Sequence, residues 1–197
     1  MRLVQLFTLS LALLISACGF HLRGLGSFEL ALTELEFSAA DSYSPLSDTV
    51  RKRLISQGVN LSPSAEFNLH LGHENYSKRK VSGNPGSHSA EYQITTSLDY
   101  RINSGGINNL VQDRVQVQRY LSINQNQASA SDEEERLLRK EMRDELVMQL
   151  MLRLQALKPE DLQHLKELEL RKLEAEKAAR AAAELQLRLE TNPELAE

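Results

Sequence analysis

Between residues 90 and 102 the side chains alternate in kind: Ala90, Tyr92, Ile94, Thr96, Leu98, Tyr100 and Ile102 fall on one side, Glu91, Gln93, Thr95, Ser97, Asp99 and Arg101 on the other. A period of two predicts a strand with one face in the core and one in water. Weaker copies of this pattern lie on either side. Leu35 and Phe37 alternate with Glu34 and Glu36 in a first short strand, and Phe67, Leu69 and Leu71 alternate with Asn68 and His70 in a second, which runs into a polar segment over residues 73–88. After the turn residues Gly105, Gly106, Asn108 and Asn109 the chain returns over 110–121 with Val111, Val115 and Val117 on one face, so the third and fourth strands form a hairpin.

The helical period of 3.6 appears three times. Leu46, Val50 and Leu54 recur between a start signal, Ser44 followed by Pro45 and Asp48, and a stop at Gly58, predicting a helix over residues 45–57. With a dozen or more residues between them, the first two strands can pair in parallel around this helix. Ser131 and Glu134 match a capping box, and the stripe Leu138, Met142, Leu146, Leu150, Leu154 and Leu157 then predicts a long amphipathic helix. Beyond Pro159 the composition turns to Leu, Ala, Glu, Lys and Arg. Glu167 with Arg171, Glu176 with Arg180 and Glu184 with Arg188 are favourable i,i+4 pairs, but Glu169, Lys172 and Gln186 break any continuous apolar seam. Two readings of this tail stand: a solvated helix, or a coiled-coil arm that binds a partner. The expected architecture is therefore α+β, a two-layer sandwich with two helices on one face of a four-stranded mixed sheet, extended by a charged C-terminal helix.

The start of the chain changes the picture. Met1 and Arg2 precede an apolar run to Ala17 that is shorter than the ~20 residues a bilayer-spanning helix needs. A positive start, an apolar centre and small residues before a break describe an export signal. The break is Ile15-Ser16-Ala17-Cys18, which resembles the bacterial lipobox, and Cys18 is the one cysteine in 197 residues. Its thiol is the strongest side-chain nucleophile near neutral pH, as S-acylation requires. The plainer alternative is a buried structural cysteine after an ordinary signal. The expected organisation is a removed signal over residues 1–17, a folded domain over 18–157 and a helical tail over 158–197, with Cys18 lipidated and no thiol left for a disulfide. Gly19 stands where an inner-membrane retention signal would carry Asp, which points to the outer membrane.

Candidate chemistry is sparse. His70 and His73, three apart near a strand, are expected on opposite faces and so not as paired metal ligands. Asp99 and Glu91 share a strand face but lie about 25 Å apart, too far for paired carboxylate catalysis. No Gly-rich phosphate loop, nucleophile elbow or zinc-binding helix motif is present. No enzyme activity, cofactor or metal is expected. The net charge of −4 gives no reason to expect a nucleic-acid partner. Against this acidic balance Lys78, Arg79 and Lys80 form one basic cluster, read either as an anion-binding loop or as a solvated loop.

Several stretches taken in order resemble the LptE family of lipopolysaccharide-assembly lipoproteins: Cys18-Gly19-Phe20-His21-Leu22-Arg23-Gly24 after the signal, residues 46–61 with Gly58-Val59, Ala90-Glu91-Tyr92 opening the third strand, and Arg139-Lys140-Glu141-Met142 in the long helix. The resemblance covers residues 18–157. It implies a lipoprotein of the outer membrane, tethered by acyl chains on Cys18. Such a lipoprotein sits as a plug inside the lipopolysaccharide-transport β-barrel (LptD), assisting its assembly and the delivery of lipopolysaccharide. In that setting Lys78, Arg79 and Lys80 become candidate lipopolysaccharide-binding residues, since cations bond strongly to phosphate. The competing class is a generic periplasm-facing lipoprotein that binds a ligand or envelope component.

Overall fold

The computed structural model describes residues 30–83, 89–124 and 128–191. Cys18 and the segment that resembles a lipobox lie outside them. The described chain runs β1 (Glu34–Ala39), α1 (Pro45–Ser56), β2 (Asn60–Leu61), β3 (Phe67–Ser82), β4 (Ser89–Ser104), β5 (Ile107–Asn124), α2 (Ala128–Gln155) and α3 (Pro159–Thr191). The strands form one mixed sheet in the order β2-β1-β3-β4-β5, with α1 and α2 packed over it. The sheet has five strands where four were expected. The extra one, β2, has two residues, too few for any alternation to mark it.

The parallel pairing around α1 is present: Phe37 of β1 lies opposite Leu69 of β3. α1 begins as its residues dictate, with the Ser44 hydroxyl accepting a hydrogen bond from the Ser47 amide at 3.1 Å and Pro45 in the first turn. It ends where Gly58, at φ 83°, lets the Val59 amide donate back to the Leu54 carbonyl at 3.1 Å. The β4–β5 hairpin turns on Gly105 and Gly106, both at positive φ. Asn108 and Asn109 belong to the returning strand rather than the turn. The Asn109 amide donates to the Asn103 side chain at 2.9 Å, which holds Asn109 at φ 60°.

α2 starts at Ala128, three residues before the expected cap. Ser131, 7% exposed, lies inside the helix, and its hydroxyl meets the backbone N–H and C=O of Asn124, both at 3.4 Å, tying the helix to the end of β5. The predicted stripe is the buried face: Met142, Leu146, Leu150 and Leu154 are fully enclosed, and Leu138 and Leu157 are partly so. Across from it lie Leu69, Leu71, Ile94, Leu98, Ile102 and Val115, with Val50 and Leu54 of α1 in the same core. At roughly 1.5–3 kcal/mol per fully buried aliphatic side chain, this cluster dominates the stability of the domain.

α3 is exposed along most of its described length and attached at its base. Leu162 is buried in the core, and Glu66 accepts from Lys166 at 2.6 Å and Gln163 at 2.7 Å. The Lys166 bond is the largest influence on Glu66 and holds its carboxyl below the ordinary range against a small burial penalty. No described helix is long and apolar enough to cross a membrane.

Candidate functional site

β3 does not end at Leu71 as its apolar alternation suggests. It continues to Ser82, so Lys78, Arg79 and Lys80 stand on a strand rather than a loop. The continuation is hidden by a β-bulge between Leu71 and Glu74, where Gly72 and His73 are added opposite Asp99. Glycine suits the position: a Cβ on Gly72 would come within 3.1 Å of the Asp99 carbonyl.

The bulge resets the alternation. Before it, Leu69 and Leu71 face the helices. After it, Glu74, Tyr76 and Lys78 do, paired with the core-facing residues Leu98, Thr96 and Ile94 of β4. Alternation across this point therefore cannot assign His70 and His73 to opposite faces. His70 meets the Ser38 hydroxyl at 3.0 Å through Nδ1; burial first, then the charge of Arg101, lowers its pKa below the usual imidazole value. Among the described residues no three His, Cys, Asp or Glu side chains gather as metal ligands would.

Over these shifted positions the N-terminal half of α2 carries charge. Glu135 accepts from the Tyr76 hydroxyl at 2.6 Å, from Lys78 at 2.5 Å and from Arg139 at 3.1 Å. Arg139 also lies over the Tyr76 ring, 3.6 Å from its centre, and Arg143 donates to Glu74 at 3.1 Å. Burial of Glu135 opposes its ionisation, yet the bonds from Lys78 and Tyr76 and the nearby cations outweigh it and hold the carboxyl below its ordinary range. The Tyr76 hydroxyl is pushed up, first by burial and then by Glu135.

The basic trio is thus not one cluster. Lys78 turns inward, salt-bridged to Glu135 and 4.9 Å from the Tyr92 ring centre. Arg79 lies on the outer face and donates to Gln93 at 2.5 Å. Lys80 is exposed and aligned with Tyr92 of β4. Consecutive residues of a strand alternate sides, so Arg79 is separated from Lys78 and Lys80, which share the helix-side face. The signals for the network that sequence reading missed were Gly72 inside a strand pattern and the period-two series Glu74, Tyr76, Lys78.

The outer face of the sheet is polar, as expected from residues 91–101. Asn75, Ser97 and Gln116 align across three strands, as do Ser77, Thr95 and Gln118, and Arg114 makes two bonds to Asp99, at 2.6 and 2.8 Å. At one end of the sheet a cleft of about 310 Å³ opens between Glu36, Glu66, Asn68, Asn103 and Asn108.

Residues 32–154 match the family model of LptE, described as lipopolysaccharide-assembly. The chain is 32% identical over 157 residues to the LPS-assembly lipoprotein LptE of Pectobacterium atrosepticum, an alignment that covers 76% of this chain and 85% of the relative. The protein of the same name from Photorhabdus laumondii is 30% identical, with 74% and 82% covered. The crystal structure of rare lipoprotein B from Shewanella oneidensis shares the fold, with a TM-score of 0.52 at 24% identity over 70% of this chain and 97% of that one. With the sandwich in place and more than half its length matched, the chain belongs to the LptE lipopolysaccharide-assembly family.

Proposed function

We propose that this protein is a non-enzymatic lipoprotein of the outer membrane, acylated at Cys18, whose domain sits as a plug within the lipopolysaccharide-transport β-barrel LptD and assists both its assembly and the insertion of lipopolysaccharide into the outer leaflet. The observation that carries this is the family match over residues 32–154, together with relatives named as LPS-assembly lipoproteins. The outer face of the sheet supports it. A barrel wide enough to hold a domain has a polar, wet lumen, and a plug for it needs hydrogen-bonding side chains rather than an apolar surface. Two or more acyl chains on Cys18 would hold the domain at the membrane, since each buried methylene contributes about 0.8 kcal/mol. The test is purification of the full-length lipoprotein from detergent extracts of its host. The β-barrel protein comes down with it at a fixed ratio if the reading holds, and its absence removes the reading in favour of a generic lipoprotein.

Within this reading Lys78, Arg79 and Lys80 are proposed contacts for the phosphates of lipopolysaccharide. All three are exposed on β3, and Lys78, salt-bridged to Glu135, keeps further N–H donors for a phosphate. Replacing all three by Ala is expected to weaken lipopolysaccharide binding. Unchanged affinity removes the assignment.

A further inference from the structure

β3 is 16 residues long, but β1 accompanies it only from Asn68 to Leu71. Beyond Ala39 the chain turns away into α1, and no described strand takes its place beside Glu74–Ser82. Residues of a strand that share a side-chain face also send their backbone N–H and C=O toward the same edge. Leu71 faces the helices, and its carbonyl accepts from the Ala40 amide at 2.8 Å, on the β1 side. After the bulge the helix-side residues are Glu74, Tyr76, Lys78 and Lys80. Their backbone groups therefore point the same way, where no described residue bonds to them.

A free edge is commonly guarded by lysines that reach out over it. Here the cations of the stretch lean inward over the sheet. Lys78 lies over the Tyr92 ring of β4 and is bonded to Glu135, Arg79 is bonded to Gln93 of β4, and the far end of Lys80 lies against Gly83, which adjoins Ala90 of β4. The edge is also held in place from above, since Glu135 accepts from Tyr76 and Lys78 and Arg143 donates to Glu74. An uncovered and already fixed edge can take up another strand without first being ordered.

We propose that this edge is a docking site for an extended, carboxylate-bearing protein segment, which adds to the sheet as a strand beside Glu74–Ser82. Charge selects the chemistry. On this stretch and the helix residues bonded to it, Lys78, Arg79, Lys80, Arg139 and Arg143 stand against two carboxylates, Glu74 and Glu135. An added strand alternates its side chains between the face of Lys78 and Lys80 and the face of Arg79, so acidic residues find cations on both. Its source rests on the plug reading: the domain is surrounded by the barrel, whose closed wall has no edge to offer. The segment is therefore a loop or arm of the barrel protein extended into the lumen. It bonds to backbone groups that phosphate contacts with the three side chains leave untouched.

The test is amide hydrogen exchange, resolved by residue, on the full-length lipoprotein in detergent, alone and in complex with the barrel. Strand addition protects alternate positions: the amides of Tyr76, Lys78 and Lys80 are expected to slow about tenfold or more in the complex. Those of Asn75, Ser77 and Arg79, which point to β4, keep their rates. Lys80→Pro removes one outward donor without breaking the β3–β4 ladder. In the complex it is expected to return Tyr76 and Lys78 toward their free rates, whereas Lys80→Ala, which keeps the amide, does not. Arg79→Glu combined with Lys80→Glu is expected to act like the proline, by repulsion. The wild-type comparison decides alone if the proline variant does not fold. The inference is overturned if the three outward amides exchange equally with and without the barrel, if they are already slow in the barrel-free protein, if lipopolysaccharide alone slows them, or if the charge reversal leaves the protection intact. A barrel that co-purifies without alternate protection removes this inference and spares the plug reading; a barrel that does not co-purify removes both.

Discussion

The two halves of α2 rest on the same sheet by different means. From Met142 to Leu154 the helix meets the sheet through the buried side chains of Met142, Leu146, Leu150 and Leu154. From Glu135 to Arg143 its flank over β3 meets it through Tyr76, Lys78 and Glu74, with a carboxylate accepting three bonds at its centre. Apolar burial is strong and tolerant of direction, whereas hydrogen bonds to charge contribute less net free energy and demand geometry. One half of the helix therefore supplies stability, and the other fixes how the long β3–β4 hairpin sits beneath it. The second half contains Glu135, whose ionised form the folded state favours.

Four substitutions and conditions separate the halves. The largest effect is expected at the apolar end, where Leu150→Ala leaves a cavity and costs about 2–5 kcal/mol. It lowers the denaturant midpoint with little change in slope. Glu135→Gln keeps the shape but removes the charge that Lys78, Tyr76 and Arg139 share, with an expected cost of ~1–3 kcal/mol in the same measurement. If Glu135→Gln costs more than Leu150→Ala, the assignment of stability to the apolar half is wrong.

Acid sharpens the contrast. The folded-state pKa of Glu135 lies below the ordinary 4.5, so the unfolded chain takes up a proton first as pH falls. The stabilisation from this carboxylate is complete above the ordinary value and is lost as pH drops through the folded one. Thermal unfolding followed from pH 7 to pH 3 should show a shallower acid-side loss in Glu135→Gln than in wild type, and an unchanged one in Leu150→Ala. The smallest effect belongs to Arg114→Ala, which breaks a two-bond pair with Asp99 in the open. Water and salt screen such pairs, and the expected cost is below about 1 kcal/mol by the same denaturation assay.

Where one face of an element is apolar and the other wet, the sequence is a sufficient guide. That holds for α1, β4, the return of β5 and the stripe of α2, each recognised from its period. The second half of β3 was hidden for a physical reason: after the bulge at Gly72 and His73 its inward positions are Glu74, Tyr76 and Lys78, and a polar inward face makes sense only when Glu135, Arg139 and Arg143 are known to lie above it. Those residues are about 60 positions away, beyond any local pattern. The setting of the basic trio was hidden in the same way, since it looks like a loop when read along the sequence and stands on a strand, divided between two faces. Ser131 offered a cap signal, but its hydroxyl is used to secure the helix to Asn124, and the helix begins a turn earlier. The free edge of β3 past the bulge has no signature at all, because strand order is a property of the whole sheet.

Leu30 and Leu32, just ahead of β1, are already sealed into the core. Twelve residue steps separate Cys18 from Leu30, and a chain of that length reaches at most about 40 Å even when pulled straight. With its acyl chains seated in the lipid as proposed, chain length alone bounds how far the sandwich can stray from the bilayer.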